Sequence, residues 1–479
     1  MLLLSKSLQR QTITIFSCGL TNFVFGLGFG WIAPALDHLQ SDASSFLIND
    51  EELSWVASTY FALEITSSIA AGFFSGFIGR KPLITIGTFL QALSWVILIV
   101  AKSAAMVVLS RAILGIAAGI FDITWSIYLG EITTPSERGI FGSIMIVLVI
   151  GGQMIEFLLS LFVSHVYLSV IPLAISVVSF AMCFLMVEAP PFLVTRGENA
   201  YALSNLAWLR GKDDVKEVQL EFNEMKDYIE SVQQRRHVLW NVLKHPMGNR
   251  VYIFCVLIFA LAQLTGYMVV VSYQAVVLAQ YDDIPDGKYV TLIFGISIFV
   301  FVLVNIGFIE TIGRRTLLLV GFGACAIIQI STAFSIYTQD HNIFNVSFIP
   351  KIIVVLFNFY GIIFIMCILP TIFVLKSELF PQEMKTVGSV SSTVSNAFAE
   401  FVVTKFFVFV WYKYGLYVNF AFYAIVDIVS VIYVYLLIPE TKGKSLVQIQ
   451  NELAIRKSSE VGFSPSSTTS RSRYVSSPE

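Results

Sequence analysis

The chain predicts an all-α membrane protein of twelve transmembrane helices arranged as two six-helix pseudo-repeats. Three observations carry that expectation: composition, twelve apolar runs of spanning length, and charged signatures that recur in the same order in both halves. Of the 479 residues 56% are hydrophobic, 14% aromatic and only 13% charged, and the mean hydropathy is +0.78. A soluble core of that apolarity would lack polar surface to cover it. A bilayer of about 30 Å, by contrast, calls for about 20 apolar residues per helix.

Taken in order, the first run covers residues 12–34. The segment from Met1 to Arg10 before it is too short for a complete cleaved signal, so this run is expected to be an uncleaved first helix. The second, 53–78, ends on Gly79-Arg80-Lys81, and the third covers 82–101. Glycine permits the turn and the bases resist translocation, as a tight cytoplasmic elbow requires. The fourth run, 105–128, leads into Gly130-Glu131 and on to Arg138, and the fifth and sixth cover 139–161 and 167–187. Residues 188–250 then form the one long polar stretch, whose apolar spacing suggests short amphipathic helices and not a folded domain.

The second half repeats the scheme with runs at 251–273, 290–309, 316–337, 352–375, 387–411 and 415–438. Glu310-Thr311-Ile312-Gly313-Arg314-Arg315 stands where Gly79-Arg80-Lys81 stands in the first half. Glu378 precedes Lys385 by the same seven residues that separate Glu131 from Arg138. Pro439-Glu440-Thr441 echoes Glu188-Ala189-Pro190. The predicted domains are therefore a bundle at 1–187, a cytosolic linker at 188–250, a second bundle at 251–438, and a cytosolic tail at 439–479. The tail is Ser-rich and expected to be disordered after about residue 455.

Basic residues cluster on one side of this arrangement, which places both termini and the linker in the cytosol. The sequon Asn345-Val346-Ser347 then falls outside, where Asn345 is a glycosylation candidate. A net charge of −2 argues against a nucleic-acid partner. The five cysteines lie in apolar runs without CxxC pairing, and no GxxxxGK[ST] loop occurs, so neither a metal nor another cofactor is expected. The expected partners are a small-molecule substrate and the lipid bilayer; oligomeric state is not legible.

A six-plus-six parallel repeat is the architecture of major facilitator transporters. Within that superfamily the chain resembles the sugar porter family, which includes glucose and trehalose facilitators, over nearly its whole length to about Leu453. The motifs that carry the resemblance are Glu310 to Arg315, Tyr128-Leu129-Gly130-Glu131 to Arg138-Gly139, Gln263-Leu264-Thr265-Gly266, Glu378-Leu379-Phe380-Pro381 and Pro439-Glu440-Thr441-Lys442-Gly443. The resemblance implies two bundles around a central cavity that opens to either side in turn. It also implies a cytosolic gate of Arg80, Glu131, Arg138, Glu188, Glu310, Arg314, Arg315, Glu378, Lys385 and Glu440. Exposed pairs contribute about 0 to 1 kcal/mol each, so only a network biases the equilibrium. The same bases suffice to set topology, but topology does not need the carboxylates.

Departures from the family pattern are informative. Gly76 and Phe77 stand where the family has an acid and a base. Gln263 and Asn396 match sugar ligands of the family, and Thr265 lies in the same motif. Ile146, Ala262, Met268 and Ile298 replace expected amides, and Phe373 replaces a Trp. Losing a partner in a buried polar site costs about 1 to 3 kcal/mol. The pocket is therefore expected either to recruit other groups, such as Glu400 one turn beyond Asn396, or to take a less polar solute. Arg111 and Glu156 are expected to pair within the membrane. Gly28 occupies the position where proton-coupled members carry Asp, which favours facilitated diffusion, although Glu64, Asp122 and Glu400 offer other places for a proton. The leading expectation is a non-enzymatic sugar facilitator of the plasma membrane. The alternatives are a transporter of a less polar, non-sugar solute and a sensor that binds without cycling.

Overall fold

The computed structural model describes residues 6–40, 46–133, 135–234, 246–281, 287–308, 312–341, 343, 348–379, 385–440 and 442. The first half contains α1 (Lys6–Gln40), α2 (Asp50–Ile78), α3 (Arg80–Ile99), α4 (Ala104–Ile132), α5 (Pro135–Phe162) and α6 (Tyr167–Cys183). Between the halves lie α7 (Pro190–Thr195), α8 (Asn199–Leu209) and α9 (Gln219–Gln234). The second half has α10 (Pro246–Leu264), α11 (Tyr267–Leu278), α12 (Gly287–Phe308), α13 (Arg314–Asp340), α14 (Ile349–Ile363), α15 (Leu369–Leu379), α16 (Lys385–Tyr414) and α17 (Leu416–Leu437). Among the described residues, eleven helices are long and apolar enough to cross a membrane, and α6, with 17 residues, is a shorter apolar helix.

Two predicted spans are interrupted. The seventh breaks between α10 and α11 at Gly266, whose φ of +87° only glycine adopts without strain. In the tenth, residues Phe364–Ile368 form a π-helical turn between α14 and α15. Such a turn leaves carbonyls free, and the Asn305 amide on α12 donates to the one at Met366. Local signals set other boundaries. Asn49 accepts from the Glu52 amide at 2.8 Å while the Glu52 carboxylate accepts from the Asn49 amide at 3.0 Å, a reciprocal cap that starts α2.

The helix packing repeats between the halves. In the first, α1 packs on α5, α2 on α4 and α3 on α6; in the second, α10 packs on α16, α12 on α14 and α13 on α17. The halves meet through α2 against α16, α5 against α12, and α1 against α11. Large apolar side chains such as Ile69, Phe89, Val177, Ile327, Phe406 and Ile432 point outward. That is an inside-out surface suited to lipid. The linker helices build a small apolar core of their own from Leu193, Val194, Ala202, Leu206, Ala207, Val218 and Phe222.

Candidate functional site

The charged residues of the elbows lie at the end of the bundles that carries the linker. Arg80, at the start of α3, forms a two-pronged pair with Glu131 at the end of α4: Nε to Oε2 at 2.9 Å and Nη2 to Oε1 at 2.7 Å. Its third arm donates to the Ser75 carbonyl at 2.9 Å, and the guanidinium lies over the Phe192 ring at 4.9 Å. Both partners are mostly enclosed, with side-chain exposures of 14% and 18%. The fork geometry of arginine suits such a planar double contact.

Glu188 has a different role from a side-chain pair. Its carboxylate accepts from the backbone N–H groups of Arg80 at 3.0 Å, Lys81 at 3.3 Å and Ala189 at 2.9 Å. These include the first amides of α3, which have no intrahelical acceptor. Glu440 does the same for α13, accepting from the Arg314 and Arg315 amides at 2.9 and 3.2 Å. The neighbouring bases complete the match. Lys81 Nζ donates to the carbonyls of Phe184 and Met186 beyond α6, at 3.2 and 2.6 Å. Arg315 Nη2 donates to the Tyr435 carbonyl near the end of α17 at 2.6 Å. One device thus joins the third and sixth helices of each half. It stays within a half, and among the described residues the Arg80–Glu131 pair does too.

Glu310 and Asn345 lie outside the described residues, as do the side chains of Arg138, Glu378 and Lys385.

The central polar groups gather between the halves. Gln263 Nε2 on α10 donates to Asn396 Oδ1 on α16 at 2.8 Å, and Glu400 follows Asn396 by one turn of the same helix. Glu400 interacts electrostatically with Glu64 on α2 and Asp122 on α4, so carboxylates from both halves converge. Thr393 Oγ1 donates to Asp122 Oδ2 at 3.0 Å across the same boundary. The structure places Thr265 elsewhere: its hydroxyl meets Tyr360 Oη at 2.9 Å and its carbonyl accepts from Gln329 at 3.2 Å, bracing the break at Gly266. Phe373 packs edge-on against Phe259 at 5.5 Å. Met268, Ala262 and Ile298 are buried apolar wall.

The expected Arg111–Glu156 pair does not form. Arg111 donates to the Gly28 carbonyl at 3.1 Å and lies over the Tyr60 ring at 5.2 Å. Glu156 is fully buried, and neither carboxylate oxygen has a hydrogen-bond partner. Similar depth along two helices does not place them on facing sides. Glu156 meets α1 at Gly30 and Arg111 meets it at Gly28, two residues and about 200° of helix apart.

At the opposite end of the bundle, Lys405 on α16 crosses to the first half. Its Nζ donates to Ser54 Oγ at 2.8 Å and lies 3.8 Å from the Trp55 ring centre. Sequence reasoning missed this contact, although a lysine inside the apolar run 387–411 was a visible signal. At the same end, His38 and His165 stack at 3.7 Å. Burial, with His38 and Lys288 adding to it, pushes the His165 imidazole down to about 4.

The family described as "Sugar (and other) transporter" matches residues 13–453. Facilitated trehalose transporter Tret1 of Polypedilum vanderplanki is 26% identical over 450 residues, spanning 93% of this chain and 88% of its own. The facilitated glucose transporter member 6 of Mus musculus is 25% identical over 459 residues, with 92% and 91% covered. Among solved structures, the inward-open xylose transporter XylE from E. coli superposes with a TM-score of 0.71 at 19% identity, over 92% of this chain and 99% of that one. XylE bound to 6-bromo-6-deoxy-D-glucose gives 0.71 at 20% identity, with 92% and 98% covered. The last two show a shared fold.

Proposed function

Because the chain belongs to the sugar (and other) transporter family, we propose that it carries a sugar of hexose or trehalose type across the plasma membrane by facilitated diffusion. Both termini face the cytosol, and no covalent chemistry takes place. The observation that supports this most directly is the polar layer between two six-helix halves, with Gln263 and Asn396 joined at 2.8 Å. Amide pairs supply both donors and acceptors, as hydroxylated solutes require. In this reading, rocking of the halves uncovers them to either side in turn. Relatives named as facilitated trehalose and glucose transporters point the same way.

In this reading Gln263, Asn396 and Glu400 contact the solute, while Thr265 and Phe373 shape the helices behind them. Glu188 with Lys81, and Glu440 with Arg315, make each half a stiff body, and Arg80 with Glu131 extends that stiffening in the first. Closure of the cytosolic face then rests on contacts between stiff halves, among which Arg138, Glu310, Glu378 and Lys385 are the proposed members. The apolar wall of Ala262, Met268 and Ile298 favours a second reading, a solute with fewer hydroxyls than a hexose. Purified protein in proteoliposomes tests both readings with labelled glucose, trehalose and a deoxy-hexose. Saturable equilibrating uptake of the first two supports the main proposal, uptake of the deoxy-sugar alone supports the second, and no saturable uptake refutes both.

A further inference from the structure

Three acidic side chains meet where the two halves face each other, and none belongs to an ion pair among the described residues. Glu64 is 8% exposed and Glu400 6%, Asp122 is half-buried, and the three interact electrostatically with one another. The charged and titratable groups around them are few. Tyr60, one turn before Glu64 on α2, interacts with all three carboxylates. Arg111 on α4 is turned to Tyr60 and the Gly28 carbonyl. Tyr267 on α11 interacts with Glu400.

The surroundings add buried polar atoms that lack hydrogen-bond partners. Glu64, Ser68 and Gly72 are spaced one turn apart on α2, and Gly72 abuts Val390 of α16, so this stripe faces the second half. Ser68 Oγ is fully buried and has no hydrogen-bond partner. Gln263, 3% exposed, gives its amide N–H to Asn396 and leaves its carbonyl oxygen unpartnered. Buried polar atoms without partners are costly, and carboxylates gathered away from water are neutralised either by a proton or by a cation held among them. A bound group with N–H donors and a positive charge answers both the carboxylates and the unpartnered Gln263 oxygen.

We propose that this boundary is a subsite for a protonated amine, and that the transported solutes include amine-bearing sugars. The hydroxyls lie on Gln263 and Asn396, and the ammonium group lies among Glu64, Asp122 and Glu400. Members of both halves hold the amine, so its binding draws the halves together around the solute. This inference rests on the sugar-transport reading and narrows its substrate class.

The test is uptake of labelled glucosamine and labelled glucose by the full chain in proteoliposomes at equal internal and external pH. The ratio of the two kcat/KM values is compared between wild type, Glu64→Gln and Asp122→Asn. Glucosamine is expected to be preferred by about tenfold, the factor from one charge contact of about 1.4 kcal/mol, with the preference falling toward unity in the amide variants. Because the ratio is internal to each preparation, lower protein yield does not alter it. Thermal unfolding of the detergent-solubilised wild type gives a second measure: glucosamine hydrochloride should protect at lower concentration than glucose. Equal handling of the two sugars, or a preference untouched by both variants, overturns the proposal. So does glucose uptake driven by an imposed proton gradient and lost in Glu64→Gln, which assigns the carboxylates to protons. Glucosamine uptake without neutral-sugar uptake upholds this inference while refuting a neutral hexose or trehalose cargo. Should no solute be carried, the transport reading fails, and protection by glucosamine over glucose still decides the subsite.

Discussion

Replacing Glu188 with Ala should loosen the first half at the start of α3, and the structure sets the size of the effect. The carboxylate accepts from three backbone amides, at 3.0, 3.3 and 2.9 Å. Loss of a helix cap costs about 0.5–2 kcal/mol. A partly buried negative charge at a helix N-terminus adds up to about 2 kcal/mol. Glu188→Ala should therefore cost about 1–4 kcal/mol, and Glu188→Gln, which keeps an acceptor but loses the charge, up to about 2. The assay is SDS-induced unfolding of the purified protein followed by tryptophan fluorescence. Glu440→Ala is the matching change in the second half, where the carboxylate accepts from the Arg314 and Arg315 amides at the head of α13. With the two sites in separate halves, the double variant should be additive within about 0.5 kcal/mol. An unchanged midpoint for Glu188→Ala, or a Gln variant as damaged as the Ala one, would refute the capping argument. Strong non-additivity would refute the independence of the halves.

Four other changes have expected outcomes. Arg80→Lys removes the fork onto Glu131 and the stack on Phe192; it should cost about 1–3 kcal/mol in the same unfolding assay, and a neutral result would mean the pair is solvated. Lys405→Met removes the Ser54 and Trp55 contacts, so a cysteine at Ser54 should react faster with a membrane-impermeant thiol reagent than in the Lys405 parent. Gly266→Ala places a Cβ 2.6 Å from the Tyr423 ring at a φ of +87°; a loss of about 1–3 kcal/mol is expected, visible as a lower unfolding temperature. His165, held near 4 when folded against an ordinary value of 6.5, binds fewer protons folded than unfolded between those values. Its contribution therefore makes stability fall as pH drops from about 6.5 to 4, and His165→Phe should flatten that slope.

The architecture was legible because its causes are local. Apolar runs of spanning length and basic elbows such as Gly79-Arg80-Lys81 require no knowledge of distant residues. The pairing of Glu188 with α3 and of Glu440 with α13 was half legible: the sequence showed that the acids recur, and it did not show that they accept from backbone amides. An amide donor has no letter of its own, so a charge-based reading assigns every acid to a base. The failed Arg111–Glu156 pair has a related cause. Depth can be counted along a helix, but the facing side depends on how α1 is wedged between α4 and α5 at Gly28 and Gly30. The convergence of Glu64, Asp122 and Glu400 was hidden for the same reason, since it joins residues 336 positions apart through the meeting of α2 and α16.

What the two halves share and where they differ separates scaffold from cargo. Helix capping by Glu188 and Glu440, and closure of helix ends by Lys81 and Arg315, obey one geometry in both copies. Such contacts tie the third helix to the sixth in each half, which the proposed rocking mechanism needs equally on both sides. The central layer is not copied. The second half supplies Gln263, Asn396 and Glu400 on α10 and α16, whereas the first supplies Glu64 and Asp122 on α2 and α4, helices at other places in the repeat. A hexose has no two-fold symmetry, so a site that grips one must break the symmetry of the walls. Specificity is therefore to be sought at the residues that have no counterpart in the other half, and the carboxylates between α2, α4 and α16 are such residues.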